Sequence, residues 1–153
     1  MATGLDAMLR ACFPEALACA DGALPAAARA KGAYMLLLTL DRPVEVARGR
    51  VAGLLPPGAY VYAGSARGAG GIAARLGRHF RRDKPIHWHI DELTATASLM
   101  ALALPGGSEC AIVARLIDSG RFAPALPGFG SSDCRRCAAH LLMPLGTYPA
   151  RPG

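Results

Sequence analysis

The feature that most constrains this chain is one apolar run, Ala33-Tyr34-Met35-Leu36-Leu37-Leu38-Thr39-Leu40, bounded by Gly32 and by the turn Asp41-Arg42-Pro43. It is far shorter than the roughly 20 residues a membrane helix needs. A short continuous apolar stretch between turn signals reads instead as a buried strand. Val44 to Arg50 alternates as a second strand, Pro56-Pro57-Gly58 is a break, and Ala59-Tyr60-Val61-Tyr62-Ala63 reads as a third. Three strands joined by turns predict an antiparallel meander.

Helical spacing takes over after Gly64-Ser65-Ala66-Arg67-Gly68-Ala69-Gly70-Gly71, which reads as a glycine-rich loop. From Ile72 to Arg82, Ile72, Leu76 and Phe80 share one face, and Arg75, His79 and Arg82 form an adjoining cationic one. His87 to Leu93 fits a short helix or a strand. Ala97 to Leu104 is a further strand ending at Pro105-Gly106-Gly107. Ser108 is a good N-cap, Glu109 suits the first turn, and Ile112, Val113, Leu116 and Ile117 form the buried side of that helix. The expected fold is α/β (α+β), a small antiparallel sheet of three or more strands flanked by helices, spanning residues 31–146. Residues 1–30 are an alanine-rich extension, in which Leu5, Met8, Leu9 and Cys12 suggest a helical arm and Pro25 to Ala30 a linker. Residues 147–153 are a tail.

Composition narrows the function classes. With 153 residues, 52% hydrophobic and 18% charged, the chain fits one domain with a real core and excludes general disorder. Its net charge of +6 comes almost wholly from arginine, since Lys31 and Lys84 are the only lysines. That favours phosphate-bearing partners, although a GC-rich coding bias raises Ala, Arg, Gly and Pro together. Asp6, Pro14, Glu15 and Asp21 spoil any signal peptide, and five cysteines are an odd number. Reduced thiols and a cytoplasmic location without membrane attachment are therefore expected.

Three groups of residues could carry chemistry. The glycine-rich loop ahead of a helix can offer N–H groups to an anion, but it lacks a P-loop ending and dinucleotide spacing. His87-x-His89-x-Asp91 resembles half of a metallo-β-lactamase zinc motif, yet Glu92 stands where a histidine would complete it. Packing of Trp88 and Ile90, with polar neighbours lining a groove or bonding locally, is the reading preferred. Cys134-x-x-Cys137-x-x-His140, with Cys110 as a possible fourth ligand, suits tetrahedral zinc. A small packed thiol cluster is the alternative.

Taken in order, Gly32-Ala33-Tyr34, Tyr62-Ala63-Gly64, the phrase Gly71 to His79 read as Gly-x-x-x-Arg-Leu-x-x-His, and Glu109 opening a later helix resemble the GIY-YIG nuclease superfamily. Tyr60 to Ala66, Trp88-His89-Ile90-Asp91, Glu109-Cys110 and Gly128 to Cys134 are similar to a small uncharacterised bacterial and archaeal branch of it, sometimes called Uri-type. The resemblance spans about residues 31–145. It departs in the alanines at the middle of both tripeptides, in the longer spacing between them, and in the absence of any asparagine. The polar position where the superfamily often has that asparagine is then empty or filled by another group, such as Asp133 or His140.

The resemblance implies a metal-dependent endonuclease that hydrolyses phosphodiester bonds of nucleic acid, DNA favoured over RNA. Glu109 would hold Mg²⁺ or Mn²⁺, and Arg75 would grip a phosphate oxygen and meet developing charge. Tyr34 would orient or deprotonate the attacking water, while Tyr62 and His79 would complete the hydrogen-bond network or relay the proton. Gly64, Ser65, Arg67, Arg78, Arg82 and His89 are the candidate nucleic-acid contacts. A catalytically silent nucleic-acid-binding module and a zinc-stabilised interaction domain are the alternatives.

Overall fold

Period-two alternation on a strand buried from both sides organises the molecule. The computed structural model describes residues 3–130 and 137–145. Along the chain lie α1 (Thr3–Cys12), β1 (Leu17–Cys19), a short 3-10 helix (Ala26–Arg29), β2 (Gly32–Leu40), β3 (Val44–Arg48), β4 (Val51–Leu55) and β5 (Gly58–Ala66). They are followed by α2 (Gly71–Phe80), α3 (His89–Thr94), β6 (Ser98–Pro105), α4 (Glu109–Asp118), β7 (Phe122–Pro124) and β8 (Leu141–Pro144). Six strands form one antiparallel sheet in the order β1-β6-β2-β5-β8-β7. The apolar run is β2, paired along its length with β5 from Gly32↔Ala66 to Leu40↔Gly58, and with β6 from Gly32↔Pro105 to Thr39↔Ser98.

Both faces of β2 are covered, which is why the run shows no polar alternation. Ala33, Met35 and Leu37 point to one side and share a core with Leu5 and Leu9 of α1, Phe13, and Ile112 and Leu116 of α4. Tyr34, Leu36 and Leu38 point to the other and pack with Ile72 and Leu76 of α2 and with Ile90 and Leu93 of α3. Burying each such leucine or isoleucine contributes about 1.5–3 kcal/mol. The α/β architecture expected from the sequence is therefore the one observed.

Several local expectations change. The second strand does not join a meander, because Val44–Arg48 pairs only with Val51–Leu55, as a separate two-stranded sheet. Val46, Val51 and Leu55 of this hairpin bury into the core beside α2 and α3, and that packing replaces a place in the main sheet. The glycine-rich stretch is a true loop only from Arg67 to Gly70, since Gly64, Ser65 and Ala66 complete β5. The first two N–H groups of α2 are already taken. Gly71 donates to Gly68 O at 3.2 Å and Ile72 to Ala30 O at 2.9 Å, so the helix end does not present them to an anion. Gly71 itself lies against the carbonyls of Arg29 and Ala30, where any Cβ would collide.

The segment expected as an arm and linker is built into the fold. Leu5, Leu9 and Phe13 are buried, and β1 pairs with β6 at Leu17↔Ala103 to Cys19↔Ala101. The helical spacing at Leu5 and Leu9 exists because that stripe covers one face of the sheet. The choice left open at His87–Leu93 resolves to a helix, with the Asp91 carboxylate reaching back to Trp88 N at 2.9 Å as its cap. In α4, Ser108 caps Ala111 N at 3.4 Å as expected, but Ile117 is exposed rather than buried.

If α1 is part of the core, Leu9→Ala should cost about 2–5 kcal/mol of stability, seen as a lower urea midpoint at unchanged slope. An unchanged midpoint would restore the detached arm.

Candidate functional site

At one end of the sheet, side chains from both helical layers meet around a cleft of about 420 Å³. β5 contributes Tyr62 and Ser65, the following loop Arg67, α2 Arg75, and α4 its first residue, Glu109. His140, just ahead of β8, and Arg48, His87, Trp88 and His89 complete the wall. Among the described residues that line it, Glu109 is the one carboxylate, facing three arginines.

Behind this wall lies the pair Tyr34 and His79. Tyr34 is 1% exposed, and its hydroxyl meets His79 Nε2 at 2.7 Å. It stands opposite Gly64 across the β2–β5 ladder, with its ring laid over that glycine so closely that a Cβ would fall inside it. The second tripeptide thus needs its glycine to admit the tyrosine of the first. Burial pushes the Tyr34 hydroxyl pKa well up, helped by Tyr62 and Glu109 and opposed by Arg75. Tyr62 is raised by burial and then by the Glu109 carboxylate. Burial lowers His79 to about 3, against the pull of Asp91. The pair is neutral near pH 7, one group donating and the other accepting.

Burial and a raised pKa disfavour the phenolate, and Tyr34 stands as a neutral hydrogen-bonding partner of His79. His79 does not belong to a cationic helix face; it points inward, drawn by that hydroxyl.

The other expected contacts divide. Ser65, Arg67, Arg75 and His89 line the cleft, while Gly64 lies under Tyr34. Arg78 is committed elsewhere. Its Nη1 and Nη2 reach Asp91 Oδ1 at 2.7 Å and Oδ2 at 3.0 Å, and Nη2 also donates to Pro85 O at 3.1 Å. Arg82 donates to Ala95 O at 3.4 Å. Neither lines the cleft. Asp91 is fully buried, and burial works to raise its pKa. The bonds from Arg78, Trp88 N and His87 N nonetheless hold it below the usual carboxylate range. The Arg75 and Arg78 guanidinium carbons lie 4.7 and 4.3 Å from the centre of the Trp88 ring, a cation–π arrangement that steadies Arg75.

His89 is held by backbone on both sides. Its Nδ1 accepts from Gly130 N at 3.0 Å, so the proton sits on Nε2 and is donated to Arg48 O at 3.2 Å. Arg48 in turn donates to Ile86 O and His87 O. Sequence reasoning missed Arg48 as a site residue, because nothing local in a hairpin tip says which layer it will meet.

One group among the described residues could hold a metal. Cys110, Cys137 and His140 bring their donor atoms within 4.8 Å of one another, so three of the four expected cysteine and histidine ligands converge. Cys134 lies outside the described residues, as does Asp133. Of the two candidates to stand in for an asparagine, His140 does line the cleft, with Nδ1 3.5 Å from Glu109 Oε2. Glu109 itself offers a partly exposed, hard carboxylate. No helix among the described residues is long and apolar enough to cross a membrane.

Compared with known families, residues 33–147 match the model of a domain of unknown function, DUF123. No curated protein and no solved structure matches.

Two outcomes follow from the buried charges. Arg78→Ala strands the Asp91 carboxylate and should cost about 3–5 kcal/mol, read by urea denaturation, whereas a cleft contact would leave stability unchanged. His79 takes a proton below about 6.5 when unfolded but only near 3 when folded. The stability it confers is therefore present above pH 6.5 and lost as pH falls toward 3. His79→Gln should flatten that part of the pH–stability curve; equal slopes in both proteins would contradict it.

Proposed function

The chain belongs to the DUF123 family, and from the charge and chemistry of its cleft we propose that it is a metal-dependent endonuclease of GIY-YIG type acting on nucleic acid, DNA favoured over RNA. The observation that carries the reading is Glu109, the one carboxylate among the described lining residues, facing a cleft lined by Arg48, Arg67 and Arg75. A cleft of that sign draws a polyanion, and guanidinium groups match phosphate oxygens in pairs.

Each side chain has a task in this reading. Arg67 and Ser65 hold the backbone at the rim. Arg75, kept in place by stacking on Trp88, grips a non-bridging oxygen and meets the charge that develops in the transition state. Tyr62 stays protonated and donates a hydrogen bond to the phosphate or to the attacking water. Tyr34 and His79 support Tyr62 and the last turn of α2 from behind. Glu109 is the residue that would hold Mg²⁺ or Mn²⁺, as one carboxylate beside substrate phosphate. Such an ion would neutralise phosphate charge and stabilise the leaving oxygen.

The Cys110, Cys137 and His140 cluster favours zinc as a second ion, because two thiols and an imidazole are soft donors. Both ring nitrogens of His140 are buried without a hydrogen-bond partner. On its own, that cluster supports the reading of a zinc-stabilised interaction domain.

A labelled panel of single-stranded, duplex and branched DNA and of RNA, incubated with Mg²⁺ or Mn²⁺, tests the proposal. Cleavage should need the metal, vanish in Glu109→Ala with binding retained, and fall by about 10²–10³ in Arg75→Ala. Binding should weaken steeply with salt as phosphate contacts release counterions. Salt-sensitive binding without cleavage would leave a binding module, and neither would leave the interaction domain.

A further inference from the structure

The cysteine–histidine cluster and the cleft share a residue. His140 is 1% exposed, and among the described residues neither ring nitrogen has a hydrogen-bond partner, a condition that calls for one. Its Nδ1 faces Glu109 Oε2 at 3.5 Å, and its donor atom also falls within the group formed with Cys110 and Cys137. Cys110 follows Glu109 directly in the first turn of α4. The backbone around His140 is fixed on both sides. His140 N donates to Phe129 O at 2.7 Å, and Ala63 N donates to His140 O at 2.9 Å. The imidazole thus lies beside both the thiols and the carboxylate before any ligand arrives.

We propose that Cys110, Cys137 and His140 bind a zinc-class cation through two thiolates and His140 Nε2, and that His140 Nδ1–H then holds the Glu109 carboxylate in its cleft-facing position. An imidazole that ligates a metal must offer it a lone pair, which leaves its one proton on the other nitrogen. Here that other nitrogen is the one facing Glu109. Coordination makes the remaining N–H a stronger donor, and a carboxylate that accepts it fixes the ring and strengthens the ligand. Without the ion, the proton can sit on either nitrogen, and nothing fixes it on the Nδ1 that faces Glu109. The two thiols release their protons on binding. The cation therefore does more than clip α4 to the segment before β8, because it sets the direction of the carboxylate on which the proposed chemistry depends. His140 is a positioning residue in this scheme, which rests on reading the cleft as the functional site.

Cobalt titration of the full, reduced, metal-free chain tests both parts. One equivalent of Co²⁺ should give tetrahedral d–d bands and thiolate charge-transfer absorption, displaced by Zn²⁺ and lost in Cys110→Ser and in Cys137→Ser. Glu109→Gln keeps the shape of a partly exposed side chain and no thiol ligand changes. It should retain the bands but weaken Co²⁺ affinity by about 10-fold or more. Nitrogen-15 spectra of the zinc-loaded protein should place the His140 proton on Nδ1. No stoichiometric cobalt binding to the native chain would overturn the metal site. Equal affinities for the native chain and Glu109→Gln, or a proton on Nε2, would overturn the coupling. None of these readouts uses nucleic acid, so failure of the nuclease reading shows only in the cleavage panel and failure here only in the metal titration.

Discussion

A tyrosine on the central strand of a sheet covered on both faces has few places to send its hydroxyl. Tyr34 resolves this by lying across Gly64 and bonding to His79 on the helix above. That single contact ties β2 to α2 across the layer boundary. An unpartnered buried hydroxyl costs about 1–3 kcal/mol, so sheet and helix are held in one relative position. Arg75, one turn before His79, inherits that position and is aimed into the cleft. The glycine, the tyrosine and the histidine are therefore one device distributed over three elements.

Charge in this molecule is sorted by what each cation meets. Arg78 and Arg75 sit one turn apart on the same helix, and both stack on Trp88. Asp91 captures the first and leaves the second to the cleft. The buried carboxylate thus works as a selector, consuming one arginine for structure so that the helix can be placed, and sparing its neighbour for a ligand. The histidines are sorted in the same way. His79 is matched to a hydroxyl, His89 to two backbone groups, and His140 to a carboxylate and a pair of thiols.

Much of this was legible from residue order, and the limits have physical causes. The unbroken apolar character of residues 33–40 could only suit a buried strand, and Ser108 ahead of Glu109 could mark a helix start because capping is local. Tyr62, Arg75 and Glu109 were found by their order along the chain, and the fold brings them to one cleft. The fate of β3 was not legible, since alternation identifies a strand but not its partner. Leu5 and Leu9 announced a helix without saying that the sheet lay beneath it. His79 looked solvent-facing from its spacing, because the pattern cannot register a tyrosine hydroxyl reaching over from another element. Arg48 carried no signal at all.

The pairing of β1 with β6 has a further consequence, for how the molecule is made. Leu17 must find Ala103, and Tyr62 must find Leu141, before either edge of the sheet closes. Contacts so distant along the chain impose a loop-closure cost ahead of any reward, and folds dominated by them assemble in milliseconds to seconds rather than microseconds. The cleft draws on residues from Arg48 to His140. A nascent chain therefore carries no complete cleft until His140 has left the ribosome, so the site comes into being only when residues far apart along the chain have met.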